Sequence, residues 1–277
     1  MSRRSWRAGE SAWVRAQRRE LQALKTLVDQ LDEVNCALHP DGSTALHLAA
    51  RLGDVAITQT LLSKPKVDAN TSTVDGITAL YMAAQNGHEA VVRLLLAQPG
   101  IDPNLAAMDG VSPLYIAAQC GHSGIVRMLL AHEASPNACR DDGATPLLIA
   151  SAKGYLRIVE ALLEVPDLIP NQCDDDGVSA LYAAAQNNHP NVVRALLSRP
   201  DMDANLQRPN GAAAIHAAAR FGHTDAIREI LSSPKSDASL QNGDGLTALE
   251  LAVDHAQAGA ADEIVACTSN RRLTQLH

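Results

Sequence analysis

Aromatic side chains are scarce: one Phe, four Tyr and two Trp make up 3% of 277 residues. A single deep core normally draws on large rings. With 46% hydrophobic residues, the chain folds nonetheless, and its interior must be Ala, Leu, Val and Ile. Cysteine is equally unhelpful to chemistry. Cys36, Cys120, Cys139, Cys173 and Cys267 are odd in number and never stand as Cys-x-x-Cys. That signals neither a disulfide framework nor a zinc site, and it suits a reducing compartment. No apolar run reaches the length of about 18 residues that a membrane span needs. Positive charge is in deficit, with a net charge of −8. An acidic body disfavours a DNA-binding surface, which needs clustered cations.

What is present is a period. Asp-Gly recurs at Asp41-Gly42, Asp75-Gly76, Asp109-Gly110, Asp142-Gly143, Asp176-Gly177 and Asp244-Gly245, with Asn210-Gly211 filling the gap. The steps are 34, 34, 33, 34, 34 and 34 residues. Each pair is followed by TALH, TALY, SPLY, TPLL, SALY, AAIH or TALE in turn. A small pair such as Ala49-Ala50 comes next, then a break such as Gly87-His88, then an apolar run such as Val91-Val92-Arg93-Leu94-Leu95-Leu96.

Each position has a physical reason. Gly permits the left-handed backbone of a tight turn. The Thr or Ser caps a first helix through its hydroxyl. Pro113 and Pro146 follow the cap, where no hydrogen bond is lost. The small pair lets helices approach closely, and Gly at the break ends the first helix. Asn188 stands at one such break, where Asn is the next most tolerant residue. The second apolar run puts one face of a second helix inward.

This pattern resembles the ankyrin repeat family, over residues 41 to about 267 in seven units. The units are 41–74, 75–108, 109–141, 142–175, 176–209, 210–243 and 244–267. The resemblance implies an all-α fold, an ankyrin-repeat α-solenoid with two helices and a β-hairpin tip per repeat. Most steps are one residue longer than the family's usual 33. The extra residue falls after the second helix, beside Pro65, Pro99, Pro166, Pro200 and Pro234. The last unit, with Glu250 for the His and Ala256 at the break, reads as a degenerate cap. Residues 1–20 read as a basic arm and residues 21–40 as an N-terminal capping helix carrying Leu21, Leu24, Leu27, Val28 and Leu31. Residues 268–277 read as a frayed tail. The arm lacks the apolar stretch of a secretory signal, and Glu10 and Glu20 argue against a transit peptide.

Little here points to catalysis. His88, His122, His189 and His223 share one repeat position, and His47 and His216 share another. Residues in register are spaced one unit apart and do not converge, so they are expected to serve the backbone. The acidic runs Asp141-Asp142 and Asp174-Asp175-Asp176 fall at turns. Cys120 is the thiol nearest the expected binding face, without an adjacent cation to activate it. No enzyme activity, cofactor or metal is expected.

Family members bind through the tips and the exposed face of the first helix. The resemblance therefore points to Val74, Ile77, Met108, Val111 and Val178 at the tips. It also points to Tyr81, Tyr115 and Tyr182 beside them, to Gln85, Asn86, Gln119, Gln186 and Asn187 at the helix ends, and to Phe221 as an aromatic anchor. An apolar ridge lined by Tyr suits a protein partner. The competing reading is that these side chains pack between successive tips. The resemblance implies a non-enzymatic interaction scaffold or adaptor that holds a protein or extended peptide. The acidic tips suggest a basic segment on that partner. The expected state is a monomer in the cytoplasm or nucleus, with no small-molecule substrate. An effector of a pathogen or symbiont acting in a host cytosol is the alternative. Membrane-surface or nucleic-acid contact through Arg3, Arg4, Arg7, Arg15, Arg18 and Arg19 ranks below both.

Overall fold

The computed structural model describes residues 22, 23, 25, 26 and 34–274. The basic arm, Leu21, Leu24, Leu27, Val28 and Leu31 of the expected capping helix, and the last three residues lie outside them. From residue 45 on, the described residues form fourteen helices in pairs: α1 (Ala45–Leu52), α2 (Val55–Leu62), α3 (Ala79–Gln85), α4 (Glu89–Leu96), α5 (Pro113–Cys120), α6 (Ser123–Ala131), α7 (Pro146–Lys153), α8 (Leu156–Leu163), α9 (Ala180–Gln186), α10 (Pro190–Leu197), α11 (Ala214–Phe221), α12 (Thr224–Ser232), α13 (Ala248–Asp254) and α14 (Ala258–Thr274). The described residues form no named strand. The tips are hairpin turns with isolated antiparallel bridges at Ser72–Thr78, Cys173–Ser179 and Gln241–Thr247.

The chain divides into residues 1–108 and 109–277. In the first unit α1 packs on α3 and α2 on α4. In the second, odd-numbered helices α5 to α13 pack on one another in series and even-numbered helices α6 to α14 do the same. Each unit is thus two layers of helices with the small pair between them. Ala49, Ala50, Ala83, Ala84, Ala117, Ala118, Ala184, Ala218 and Ala219 are wholly buried. The second helices turn one face in, as Val91, Val92, Leu95 and Leu96 show.

The local chemistry follows the repeat. The Thr78 and Ser112 hydroxyls accept the amides of Tyr81 and Tyr115 at 3.1 Å. Thr145, Ser179 and Thr247 act likewise on Leu148, Tyr182 and Glu250. Repeat six has Ala213 at the cap, and His216 compensates. The Nδ1 of His216 accepts the Ala213 amide at 3.1 Å, while its Nε2 donates to the Leu240 carbonyl at 3.0 Å. His47 does the same between Thr44 and Ile77. Burial holds both imidazoles below their ordinary pKa. The second histidine series acts across repeats. His88, His189 and His223 donate Nε2–H to the carbonyls of Arg51, Ala152 and Gln186 in the preceding unit. The ring needs space: a Cβ on Gly53 would lie 2.5 Å from the His88 ring. Gly53 is therefore required twice, for that contact and for its φ of 72°.

At the C-terminus the structure departs from expectation. Helix α14 runs to Thr274 and is 17 residues long, so residues 268–274 are helix rather than frayed tail. The other second helices are eight or nine residues long. The Pro that follows most of them is missing here.

Candidate protein-binding surface

The tips are tied to one another by backbone. At most tips the residue before the Asp or Asn donates its amide to the carbonyl of the preceding tip. Val74 bonds Asp41, Met108 bonds Asp75, Asp141 bonds Asp109, Asp175 bonds Asp142, and Gly243 bonds Asn210, at 2.8 to 3.0 Å. Each turn then closes with a left-handed glycine, as where the Gly76 amide meets the Thr73 carbonyl at 3.0 Å.

This geometry sorts the expected binding residues. Val74 and Met108 project into water, 69% and 74% exposed. Val111 does not: it is 5% exposed, and Ile77 and Val178 are half-buried. That register position is the last before the helix cap, where the chain dives inward. Ser43 and Ala144 at the same position are buried too. Tyr81, Tyr115 and Tyr182 are 8%, 1% and 7% exposed. The exposed tyrosine ridge is therefore corrected. Val111 and the tyrosine rings are packing residues of the repeat, and burial pushes the Tyr115 hydroxyl above its ordinary pKa.

At the helix ends Gln85, Asn86 and Asn187 are exposed, while Gln119 and Gln186 are half-buried. Asn86 and Asn187 turn their amide donors back on their own helices, onto Met82 and Ala183 at 2.8 Å. Their side-chain carbonyls remain for a ligand. The acidic tips are partly spent as well. Asp142 is clamped by Arg140, which holds its carboxyl below the usual range. Asp174 accepts the amides of Asp176 and Val178. Asp141, Asp175 and Asp176 carry the outward charge, with Asp175 and Asp176 exposed. Burial raises the pKa of the Cys120 thiol, the opposite of activation.

One place gathers several of the expected residues. In the second unit a cleft of about 530 Å³ lies between the tips and the first helices of repeats five to seven. Tyr182, Gln186 and Phe221 line it, together with Arg208, Arg220, His216, Asp244, Asp254 and His255. Phe221 is 47% exposed and stacks on the His223 ring at 5.9 Å. Two features escaped sequence reasoning. Arg208 enters the cleft from two residues before Asn210, and Arg220 enters it from the helix-end position that Gln85, Gln119 and Gln186 hold in their repeats, where no cation was singled out for binding. The other is a series of asparagines, Asn35, Asn70, Asn137, Asn171 and Asn205. Each donates to a carbonyl and accepts an amide of the next loop, as Asn171 does with Asp201 and Asp203 at 2.8 and 2.9 Å. Their spacing by repeat length was the available signal.

Comparison with known proteins gives the class. A family model described as ankyrin repeats in three copies matches residues 13–107, 99–168, 137–208, 165–237 and 181–271. The chain belongs to the ankyrin repeat family. The solved human ASB11 ankyrin repeat domain is 23% identical, with a TM-score of 0.69 over 81% of this chain and 98% of that one. EF0377, an ankyrin repeat protein, is also 23% identical, with a TM-score of 0.64 over 70% and 98%. These likenesses speak to the fold. No curated protein matches the chain. Ankyrin repeats are generally protein–protein interaction modules and generally non-enzymatic. Among the described residues no group of three or more His, Cys, Asp or Glu is placed to hold a metal ion. No helix among them is long and apolar enough to cross a membrane.

Proposed function

We propose that this chain is a non-enzymatic scaffold or adaptor that holds an extended segment of another protein in the cleft of repeats five to seven. The observation that carries the reading is the convergence there of Phe221 and Gln186, beside the largely buried Tyr182, around a volume of about 530 Å³. That is the scale of a pocket for a few side chains. An exposed aromatic beside hydrogen-bonding groups is the usual core of a binding hot spot. Basic residues flanking the bound segment would pass over Asp175 and Asp176 on the neighbouring tip.

Site-specific photocrosslinking tests the placement. A benzophenone amino acid at Phe221 is expected to crosslink a partner from cell extract, whereas one at the exposed Arg157 on α8 is not. Equal crosslinking from both positions, or crosslinking from 157 alone, overturns the assignment of the cleft.

A further inference from the structure

We infer that the same cleft selects an extended peptide carrying a carboxylate side chain next to an apolar one. Arg208 and Arg220 take the carboxylate and Phe221 takes the apolar group. This rests on the binding reading above and adds the chemistry of the partner.

The arginines of the second unit make the argument. Arg127, Arg140, Arg194, Arg199 and Arg228 each pair with a carboxylate. Arg157, Arg208 and Arg220 have no carboxylate within 4.0 Å among the described residues, and of these three only Arg208 and Arg220 line the cleft. On a chain of net charge −8, two cations left without counter-ions in one cleft are a surface complementary to an anion.

Arg208 is also fixed in place, and the sequence shows how. At every other tip-to-tip bond named above, a backbone amide meets the preceding tip carbonyl. Ahead of the repeat-six tip the donor position is Pro209, and proline has no N–H. The Asp176 carbonyl is instead met by Nε of Arg208 at 3.1 Å. That bond lays the guanidinium over the Tyr182 ring, 5.0 Å from its centroid, with Nη1 3.4 Å from the Tyr182 hydroxyl. A guanidinium has five N–H donors, so most remain for a ligand. A planar donor fork held this way matches a carboxylate and loses little freedom on binding it. Arg220 lies over the Phe221 ring at 5.9 Å, which puts the second cation beside the aromatic platform.

The cleft also sets a limit on the anion. Asp244 and Asp254 line it, and they repel a ligand charged at every residue. A nucleic-acid backbone is disfavoured, while a peptide with one or two carboxylates at the arginines is not.

The test uses the full chain and a library of random twelve-residue peptides displayed without a free C-terminus. Enriched peptides are expected to share an Asp or Glu within a few positions of a Leu, Phe or similar residue. An amidated synthetic peptide from that set is expected to bind. Its Glu→Gln version should weaken about tenfold or more. So should binding by Arg220→Glu, a change at an exposed side chain that leaves the fold intact by circular dichroism and thermal melting. A Glu→Lys peptide should recover affinity for Arg220→Glu. Arg208→Gln should weaken the original peptide as well. Enriched peptides without a shared acid, or binding indifferent to both arginine changes, overturn the carboxylate inference. If such peptides are still lost on Phe221→Glu, the cleft stands and only its chemistry is wrong. If no peptide is enriched, or all survive Phe221→Glu, both readings fall.

Discussion

Ser151 occupies the second position of the small pair, where Ala50, Ala84, Ala118, Ala185 and Ala219 stand in other repeats. It is wholly buried, and its hydroxyl finds no hydrogen-bond partner. An unsatisfied buried hydroxyl costs on the order of 1–3 kcal/mol, and Ala also favours helix. Ser151→Ala is therefore expected to raise the unfolding free energy by about 1 kcal/mol in urea titration. A lower midpoint would show that the hydroxyl contributes to the fold. The helix caps and left-handed glycines were legible in the sequence because they answer to local backbone geometry alone. The inward turn of Val111 and the burial of the tyrosines were legible only as the second of two readings, packing between successive tips. They depend on what the next repeat lays over each tip, and composition does not report that. Arg208 was hidden for a related reason: its position follows from the missing amide of Pro209, a fact about the neighbouring tip.

Between elements, two kinds of link join successive repeats, and they differ in worth. The asparagine links each satisfy a carbonyl and an amide of the adjoining loop. Asn171→Ala removes both bonds and is expected to cost about 1–2 kcal/mol, at about 1 kcal/mol per net hydrogen bond. Asn171→Asp keeps the acceptor for the Asp203 amide but loses the donor to the Asp201 carbonyl, so it should recover only part of the loss. The second-helix layer carries ion pairs, Arg127–Glu164, Arg194–Glu229 and Arg228–Glu263. The arginines are at least half exposed, and such pairs contribute about 0–1 kcal/mol. Arg194→Ala is expected to move the midpoint less than Asn171→Ala does. The reverse order would mean that charge rather than the loop bonds couples the repeats. Neither kind of link stood out in the sequence, because each pairs residues about one repeat apart whose contact only the stacking of units creates.

For the whole molecule the histidines set a pH response. His47 lies in the first unit and His216 in the second, and each is held neutral because Nδ1 accepts a backbone amide. Burial lowers both pKa values from the usual 6.5, although hydrogen bonds to the backbone partly offset this at both, and Asp41 adds a little at His47. A lowered histidine pKa favours the folded state at high pH. The contribution is full above 6.5 and is lost as pH falls below it, because the unfolded chain takes up protons first. The shifted carboxylates of Asp142, Asp201, Glu250 and Glu263 act lower, where their unfolded forms titrate at 3.8 or 4.5. Stability should therefore fall between pH 7 and pH 5, and a His47→Gln, His216→Gln double variant should show a flatter profile in thermal melts. An equally steep profile in that variant would assign the response to other groups. The asparagine links have one further consequence, for descent. A second copy of residues 176–209, inserted after Pro209, would present its own Asp201 carbonyl and Asp203 amide to the Asn205 already there. Its own Asn205 would meet Lys235 and Asp237 as the present one does. At these joints the asparagine bonds are interchangeable, so a gain or loss of whole units leaves each of them with a partner of the same kind.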